Sequence, residues 1–183
     1  MRTLAVTLLV LQAAQAPPPV SDGAGRESYA AVSVDKNGAL AIRKADGSIA
    51  AVYRRPKQTA FEDARLSPDR GAVGAQAMYP NCCGSYDLAL RLVVYENGRE
   101  HWFKGTDLPI FRWTFVEGGH RIAFAQAPVH FGCGAHYELR DVRTERLIDE
   151  ANVSDEAPGC PAPKPGDERV QVPAWARSLE RAR

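Results

Sequence analysis

The sequence has almost no charge imbalance and no long run of basic residues. Its 23 lysines and arginines against 22 aspartates and glutamates give a formal net charge of +1, and no basic run is longer than the pair Arg54-Arg55. A chain of this kind has no field that would attract nucleic acid or an anionic membrane surface. The composition therefore argues against a nucleic-acid partner.

Familiar catalytic and cofactor motifs are also missing from the chain. It contains no G-x-S-x-G segment, phosphate-binding loop, dinucleotide fingerprint or calcium loop. Glu62 and Asp63 are adjacent acids, but neighbours on a strand point to opposite faces. Ser67 lies in a proline turn, where its hydroxyl is expected to bond the local backbone. We predict no catalytic residue and no cofactor, and a small hydrolase is the least favoured function.

A single apolar run stands out, and it lies at the N-terminus. Arg2 precedes an uncharged stretch from Thr3 to Leu11, which is followed by Ala14-Gln15-Ala16. This order predicts a cleaved signal peptide over residues 1–16, because the run is too short to span a bilayer. We therefore expect a periplasmic or secreted protein without a membrane span. Residues 17–28 are rich in proline, glycine and polar residues, which predicts a flexible tether.

The cysteines are few and even in number: Cys82, Cys83, Cys133 and Cys160. An even count in an exported chain favours disulfides. A bond between the neighbours Cys82 and Cys83 would close a strained eight-membered ring, so we expect each of them to pair with Cys133 or Cys160. Both pairings remain open: Cys83–Cys133 with Cys82–Cys160, or Cys82–Cys133 with Cys83–Cys160.

Between residues 29 and 150 the chain alternates short apolar runs with turn signals. Asn37-Gly38, Asp46-Gly47 and Asn97-Gly98 supply the positive φ angles that tight hairpins need. The pattern predicts eleven antiparallel strands, near residues 29–35, 39–44, 48–54, 61–66, 72–78, 86–95, 99–104, 110–115, 121–127, 136–142 and 146–150. No segment of this region has the apolar period of a long helix.

These strands fall into sections that repeat one another. The tripeptide AQA at residues 75–77 recurs at 125–127, and Cys83-Gly84 recurs as Cys133-Gly134, both at an offset of fifty residues. A unit of this length with four strands is typical of a β-propeller blade.

Two segments carry a family resemblance. ARLSPDRGAVGA resembles the turn between the first two strands of TolB-type, WD-like propeller repeats, and YELRDVRTERLI resembles their third strand running into the fourth. The resemblance covers residues 29–150, with the weakest match in the first section, which lacks a strand. It implies an all-β fold built as a partial β-propeller-like array of about three antiparallel meander blades. A β-sandwich is the alternative.

The count of blades bears on function. A closed propeller needs at least about four blades, so the array must be capped or completed by a second copy of the chain in a homo-oligomer. Members of the family act mostly as protein-binding platforms. The resemblance therefore implies an exported, non-catalytic binding protein whose ligand is a protein or a cell-envelope component.

The last section, residues 151–183, reads as a proline-rich linker followed by a short C-terminal helix. Cys160 lies in the linker, and the helix is expected to begin at Pro173. Trp175 and Leu179 fall on one face of this helix. That face either covers an open sheet or is presented to a partner protein.

The segment HFGCGAH carries the alternative function. His130, Cys133 and His136 stand at even spacing, and two imidazoles with a thiolate are ligands for zinc or copper. The chain would then be a periplasmic metal-binding protein. At the fifty-residue offset the histidine positions hold Pro80 and Tyr86, whereas Cys-Gly is kept, and this favours a disulfide at Cys133.

The aromatic residues of FRWTF alternate along a predicted strand. Phe111, Trp113 and Phe115 should share one face, which we expect to be buried core. An aromatic groove for sugars or peptides is the alternative.

Overall fold

Three antiparallel sheets form the body of the protein, which confirms the predicted all-β fold. The computed structural model describes residues 26–129, 134–154 and 172–181. Each sheet is a meander whose strands pair in chain order. Sheet 1 contains β1 (Tyr29–Val34), β2 (Leu40–Lys44) and β3 (Ile49–Val52); sheet 2 contains β4 (Ala60–Leu66), β5 (Val73–Tyr79), β6 (Leu88–Glu96) and β7 (Arg99–Phe103); sheet 3 contains β8 (Ile110–Val116), β9 (Arg121–Gln126), β10 (Gly134–Asp141) and β11 (Leu147–Ser154). All eleven predicted strands are present, and the first section has three strands, as predicted.

The hairpins form where the turn residues predicted them. Asp35 accepts hydrogen bonds from the backbone N–H groups of Asn37 at 2.8 Å and Ala39 at 2.9 Å. Asn97 and Gly98 have φ angles of 49° and 76°. Two successive positive φ angles match the twist of the flanking strands and allow the tight β6–β7 turn.

The sheets stack face to face around two apolar cores. The core between sheets 1 and 2 contains Tyr29, Leu40, Ile42 and Val52 from sheet 1 and Phe61, Val73, Ala75, Ala77, Val93 and Tyr95 from sheet 2. The core between sheets 2 and 3 includes Met78, Leu92, Val94 and Phe103 from sheet 2 and Ile110, Trp113, Ile122 and Phe124 from sheet 3. Sheet 2 is therefore buried on both faces, and β5 is an almost continuous small or apolar run.

Gly74 on β5 lets sheet 3 approach closely. Its neighbours Val73 and Ala75 point toward sheet 1, so position 74 points toward sheet 3. A Cβ atom at Gly74 would lie 2.6 Å from Cη2 of Trp113. The fully buried indole of Trp113 therefore occupies the space that any other residue at position 74 would fill.

The two AQA segments take up opposite orientations in the stack. Ala75 and Ala77 face the preceding sheet, whereas Ala125 faces away from it, toward the C-terminal segment. The pair Leu66–Val73 of β4 and β5 corresponds to the pair Phe115–Ile122 of β8 and β9, which also faces the preceding sheet, at an offset of 49 residues. Because a shift of one residue moves every side chain to the other face, the fifty-residue offset does not describe the structural repeat here.

The expectation that Phe111, Trp113 and Phe115 share one buried face is wrong for Phe111. The register of β8 shifts between Ile110 and Arg112, so the alternation is interrupted at Phe111, which is 46% exposed. Trp113 is fully buried, and its ring meets that of Phe115 edge to face at 5.4 Å.

A short helix, α1 (Arg177–Arg181), lies against sheet 3. The predicted start at Pro173 corresponds to a turn, in which the Pro173 carbonyl accepts hydrogen bonds from the N–H groups of Ala176 at 2.9 Å and Arg177 at 3.1 Å. Across the described ranges, no helix is long and apolar enough to cross a lipid bilayer.

Candidate functional site

The outer face of sheet 1 is the main candidate for a binding surface. Two rows of paired residues cross it: Ser33, Ala41 and Ala51 form one row, and Ala31, Arg43 and Ile49 form the other. These positions alternate with the buried residues of the same strands, so they point away from sheet 2. We call these six residues, with Tyr53 just after β3, the open face.

The open face is accessible to solvent. Ile49 is 68% exposed and Tyr53 is 73% exposed, although each is a large apolar or aromatic side chain. A shallow cavity of about 140 Å³ lies on the face. No described strand or helix packs on this side of sheet 1.

The outer face of sheet 3 offers a direct contrast, because it is covered. Ala123 and Ala125 are fully buried there beneath Ala176 and Leu179. Trp175 adds a hydrogen bond from Nε1 to Oδ2 of Asp149 at 2.8 Å. The predicted face of Trp175 and Leu179 thus packs on the protein's own sheet, as the capping interpretation expects, and Leu179 is only 1% exposed.

The predicted cysteine site is described in part. Cys82 and Cys83 lie in the loop between β5 and β6, both exposed and both free, and their Sγ atoms are 2.7 Å apart. Cys133 and Cys160 lie outside the described residues. The predicted disulfides of Cys82 and Cys83 with those two cysteines stay a prediction.

Of the predicted metal ligands, the structure describes His136 on β10. Its Nδ1 atom is 2.8 Å from Oδ1 of Asn152, and its Nε2 atom is 3.2 Å from Oε1 of Glu138. Both ring nitrogens are therefore within hydrogen-bonding distance of other side chains. His130 and Cys133 lie outside the described residues, so the His-Cys-His site also stays a prediction.

Sequence reasoning missed two buried carboxylates, of which Glu138 is the first. It is 3% exposed and accepts a hydrogen bond from Nε of Arg140 at 2.5 Å. A Cβ atom at Gly105 would lie 2.6 Å from Oε1 of Glu138, so the segment before β8 passes directly over this carboxylate. Glu138 and Arg140 alternate on β10 like any surface pair, and nothing local signals their burial.

Glu96 is the second buried carboxylate, at 2% exposure. It accepts a hydrogen bond from Nε of Arg26 at 3.1 Å and lies 3.4 Å from Nε of Arg143. A cavity of about 320 Å³ opens beside it, lined also by Arg99 and His101. Arg26 and Arg143 bring two guanidinium groups to this buried carboxyl, and their contacts join the N-terminal segment to the ends of sheets 2 and 3.

The turn at Ser67 confirms the role predicted for that hydroxyl. Ser67 Oγ donates to Oδ1 of Asp69 at 2.6 Å and accepts from the N–H of Ala72 at 2.9 Å. Burial opposes ionisation of Asp69, but hydrogen bonds from Ser67, Gly71 and Arg26 outweigh it and hold the pKa of Asp69 below its ordinary value. The carboxylate of Asp69 and the hydroxyl of Ser67 are therefore held in place as parts of the turn.

An apolar groove of about 340 Å³ lies at the end of sheets 2 and 3 that carries the Cys82-Cys83 loop. Phe111 and Val129, which are 46% and 40% exposed, line it together with Met78, Leu88 and Pro128. Because Phe111 lines it, this groove is the described surface that most resembles the aromatic groove predicted from FRWTF.

Comparison with known proteins adds little to these observations. No protein-family model matches the chain, and no curated protein matches it in sequence. Among solved structures, hydrazine synthase of Kuenenia stuttgartiensis superposes with a TM-score of 0.39 and 14% identity over 64% of this chain and 34% of that chain. A similarity of this degree supports no argument about fold family or function.

Proposed function

We propose that the chain is an exported, non-catalytic binding protein whose propeller-like sheets form an open stack, with a protein or cell-envelope component docking on the open face. The observation that carries the proposal is the unequal cover of the two ends of the stack. Sheet 3 is closed by Ala176 and Leu179, whereas sheet 1 leaves Ile49 and Tyr53 exposed. Contiguous exposed apolar surface of this kind is typical of interaction sites.

The composition of the open face suggests the shape of the partner. Ala31, Ala41 and Ala51 are short, so another surface can approach the backbone of sheet 1 as closely as α1 approaches sheet 3. Arg43 supplies one exposed cation within the same rows. A partner with a flat apolar surface and a carboxylate opposite Arg43 fits these features best.

Two sequence features support the setting. The N-terminal pattern over residues 1–16 resembles a signal peptide, and this supports a periplasmic or secreted location. The resemblance of residues 29–150 to TolB-type, WD-like repeats supports a platform role, and three sheets of three or four strands are compatible with such repeats.

Site-specific photo-crosslinking tests the proposal. A photoreactive amino acid placed at Ile49 in the full chain, expressed in its own host, should give one discrete adduct. The matched control is Ile148, which is also an exposed isoleucine on a strand, but on sheet 3. An adduct of twice the chain mass would identify the partner as a second copy.

The substitution Ala41→Arg should abolish the Ile49 adduct, because a long charged side chain would stand in the middle of the row of small residues. Equal labelling from Ile49 and Ile148, or no adduct from Ile49, would contradict docking on the open face.

A further inference from the structure

Two neighbouring thiols form a reactive group that the proposed binding function does not use. Cys82 and Cys83 are both exposed on the β5–β6 loop, and their sulfur atoms are 2.7 Å apart. The open face lies on sheet 1, whereas this loop belongs to sheet 2. The pair is therefore a separate site from the proposed docking surface.

The loop backbone holds the two thiols in place. The N–H of Cys83 donates to Oδ1 of Asn81 at 3.1 Å, which closes a short turn around Cys82. A Cβ atom at Gly84 would lie 2.5 Å from Nδ2 of Asn81, so the same side chain packs over the glycine that follows the pair. Asn81 thus supports the turn on both sides of the cysteines.

The proximity of the two sulfurs changes their chemistry. The hydrogen bond with Cys82 raises the pKa of the Cys83 thiol above its ordinary value, and repulsion between two adjacent thiolates acts in the same direction. The same proximity places the sulfur of each cysteine within reach of a mixed disulfide formed on the other. A thiolate is the species that attacks a disulfide.

A bond within the pair would also be easy to reverse. Adjacent Cα atoms are about 3.8 Å apart across a trans peptide, below the separation of about 4.4 Å at which ordinary disulfides begin. Strained and exposed disulfides are the ones that small thiols reduce most readily. Adjacent cysteines therefore suit a reversible redox group better than a permanent crosslink.

We propose that Cys82 and Cys83 form a redox-active dithiol that exchanges with small-molecule disulfides. One thiolate of the pair attacks the external disulfide, forms a mixed disulfide and releases one small thiol. The second cysteine then attacks the protein sulfur of that mixed disulfide and releases the second small thiol. The two cysteines lose two electrons and two protons, and the external disulfide gains both.

This proposal and the disulfides expected from the sequence exclude each other, because Cys82 and Cys83 cannot bond to one another and to Cys133 and Cys160 at the same time. Peptide mapping of the full chain after non-reducing proteolysis separates the two arrangements. A peptide that contains Cys82 and Cys83 and has lost two hydrogens supports the proposal. The same peptide joined to one carrying Cys133 or Cys160 overturns it.

The double variant Cys133→Ser with Cys160→Ser isolates the pair for measurement. Incubated with oxidised glutathione and then blocked with an alkylating agent, it should lose two hydrogens and take up no alkyl group. Excess reduced glutathione should restore two alkylatable thiols per chain. A product that carries one glutathione and does not proceed further, or a bond that excess glutathione leaves intact, would overturn the proposal.

Single variants report on the second step. Cys82→Ser and Cys83→Ser should each accumulate one glutathione per chain, because the resolving thiol is missing. Should the double variant not fold, the mapping of the wild-type chain decides the question by itself.

Discussion

Gln76 and Gln126 hold the same connecting segment from opposite sides. Gln76 projects from sheet 2, and its Nε2 atom donates to the carbonyl of Ile110 at 2.8 Å. Gln126 projects from sheet 3, accepts from the N–H of Thr106 at 3.0 Å and donates to the carbonyl of Leu108 at 2.7 Å. The segment between β7 and β8 is thus fixed in the interface by two buried amides.

Replacing these glutamines should cost stability in proportion to the backbone groups left unpaired. Gln126→Leu should lower the free energy of unfolding by about 1–3 kcal/mol, because the half-buried segment loses the hydrogen bonds of the Thr106 N–H and the Leu108 carbonyl to a fully buried amide. Gln76→Leu, which orphans one carbonyl, is the matched comparison and should cost about half as much. Urea denaturation measures both, and equal losses would argue against this account of the clamp.

Gly74→Ala should destabilise the protein although alanine is small. The added methyl group would meet Trp113, and overpacking of a core typically costs about 1–3 kcal/mol. Combining it with Trp113→Phe should restore part of the loss, because the smaller ring vacates the contact. Additive effects in the double-mutant cycle would show that the two positions are not coupled.

Leu179→Ala should uncover the outer face of sheet 3. Leu179 is 1% exposed, and truncating a buried leucine costs about 2–5 kcal/mol. The emission of Trp175 should shift to the red in the same variant, since its segment loses the contact that holds it. Arg177→Ala, at an exposed position of α1, is the control and should change neither quantity.

Ile49→Asp should separate binding from folding. Ile49 is 68% exposed, so the free energy of unfolding should change by no more than about 0.5 kcal/mol. Docking on the open face should be lost, because the partner would have to bury an unpaired carboxylate. Chemical denaturation and the crosslinking yield from Tyr53 measure the two effects, and a large loss of stability would show that the open face belongs to the protein's own core.

Glu27 should make stability depend on acid pH. The hydrogen bond from Lys44 lowers the pKa of Glu27 below its ordinary value near 4.5, and Tyr29 adds a second hydrogen bond. The carboxylate therefore stabilises the fold above pH 4.5, and this contribution is lost as the pH falls through the lowered pKa of the folded state. Denaturation midpoints between neutral and acid pH should fall more steeply for the wild type than for Glu27→Gln.

The control for this pH series is Glu62→Gln, at an exposed position of β4. Its midpoints should follow those of the wild type. If Glu27→Gln also followed the wild type, the ion pair of Glu27 with Lys44 would not contribute to acid stability.

Local signals in the sequence account for most of the secondary structure. The hairpin at Asn97-Gly98 depends on two φ angles that those residues adopt easily, and the strands depend on an alternation that spans a few residues. Both kinds of information lie within a short window, so every predicted strand is found. The bulge at Phe111 was not predicted, because it depends on how β8 pairs with β9.

The candidate site, by contrast, depends mainly on tertiary structure and little on local sequence signals. The alternation of β1 to β3 predicts two faces for sheet 1, but it does not say which neighbour covers which face. The small residues of the open face and those of β9 look alike in the sequence. The small residues of β9 are covered by Leu179, whereas those of the open face are not. This difference arises from the path of the whole chain.

By itself, then, the sequence determined the strands, their turns and the all-β class, because each depends on interactions between residues close along the chain. Only the tertiary structure decided that Gln76 and Gln126 clamp one segment, that Glu96 and Glu138 are buried, and that Cys82 and Cys83 bring their sulfurs together. The orientation of the AQA segments shows the physical reason. Sheets 2 and 3 repeat at an offset of 49 residues and not fifty, and a difference of one residue reverses the face that every side chain presents, so pairing and packing decide that face.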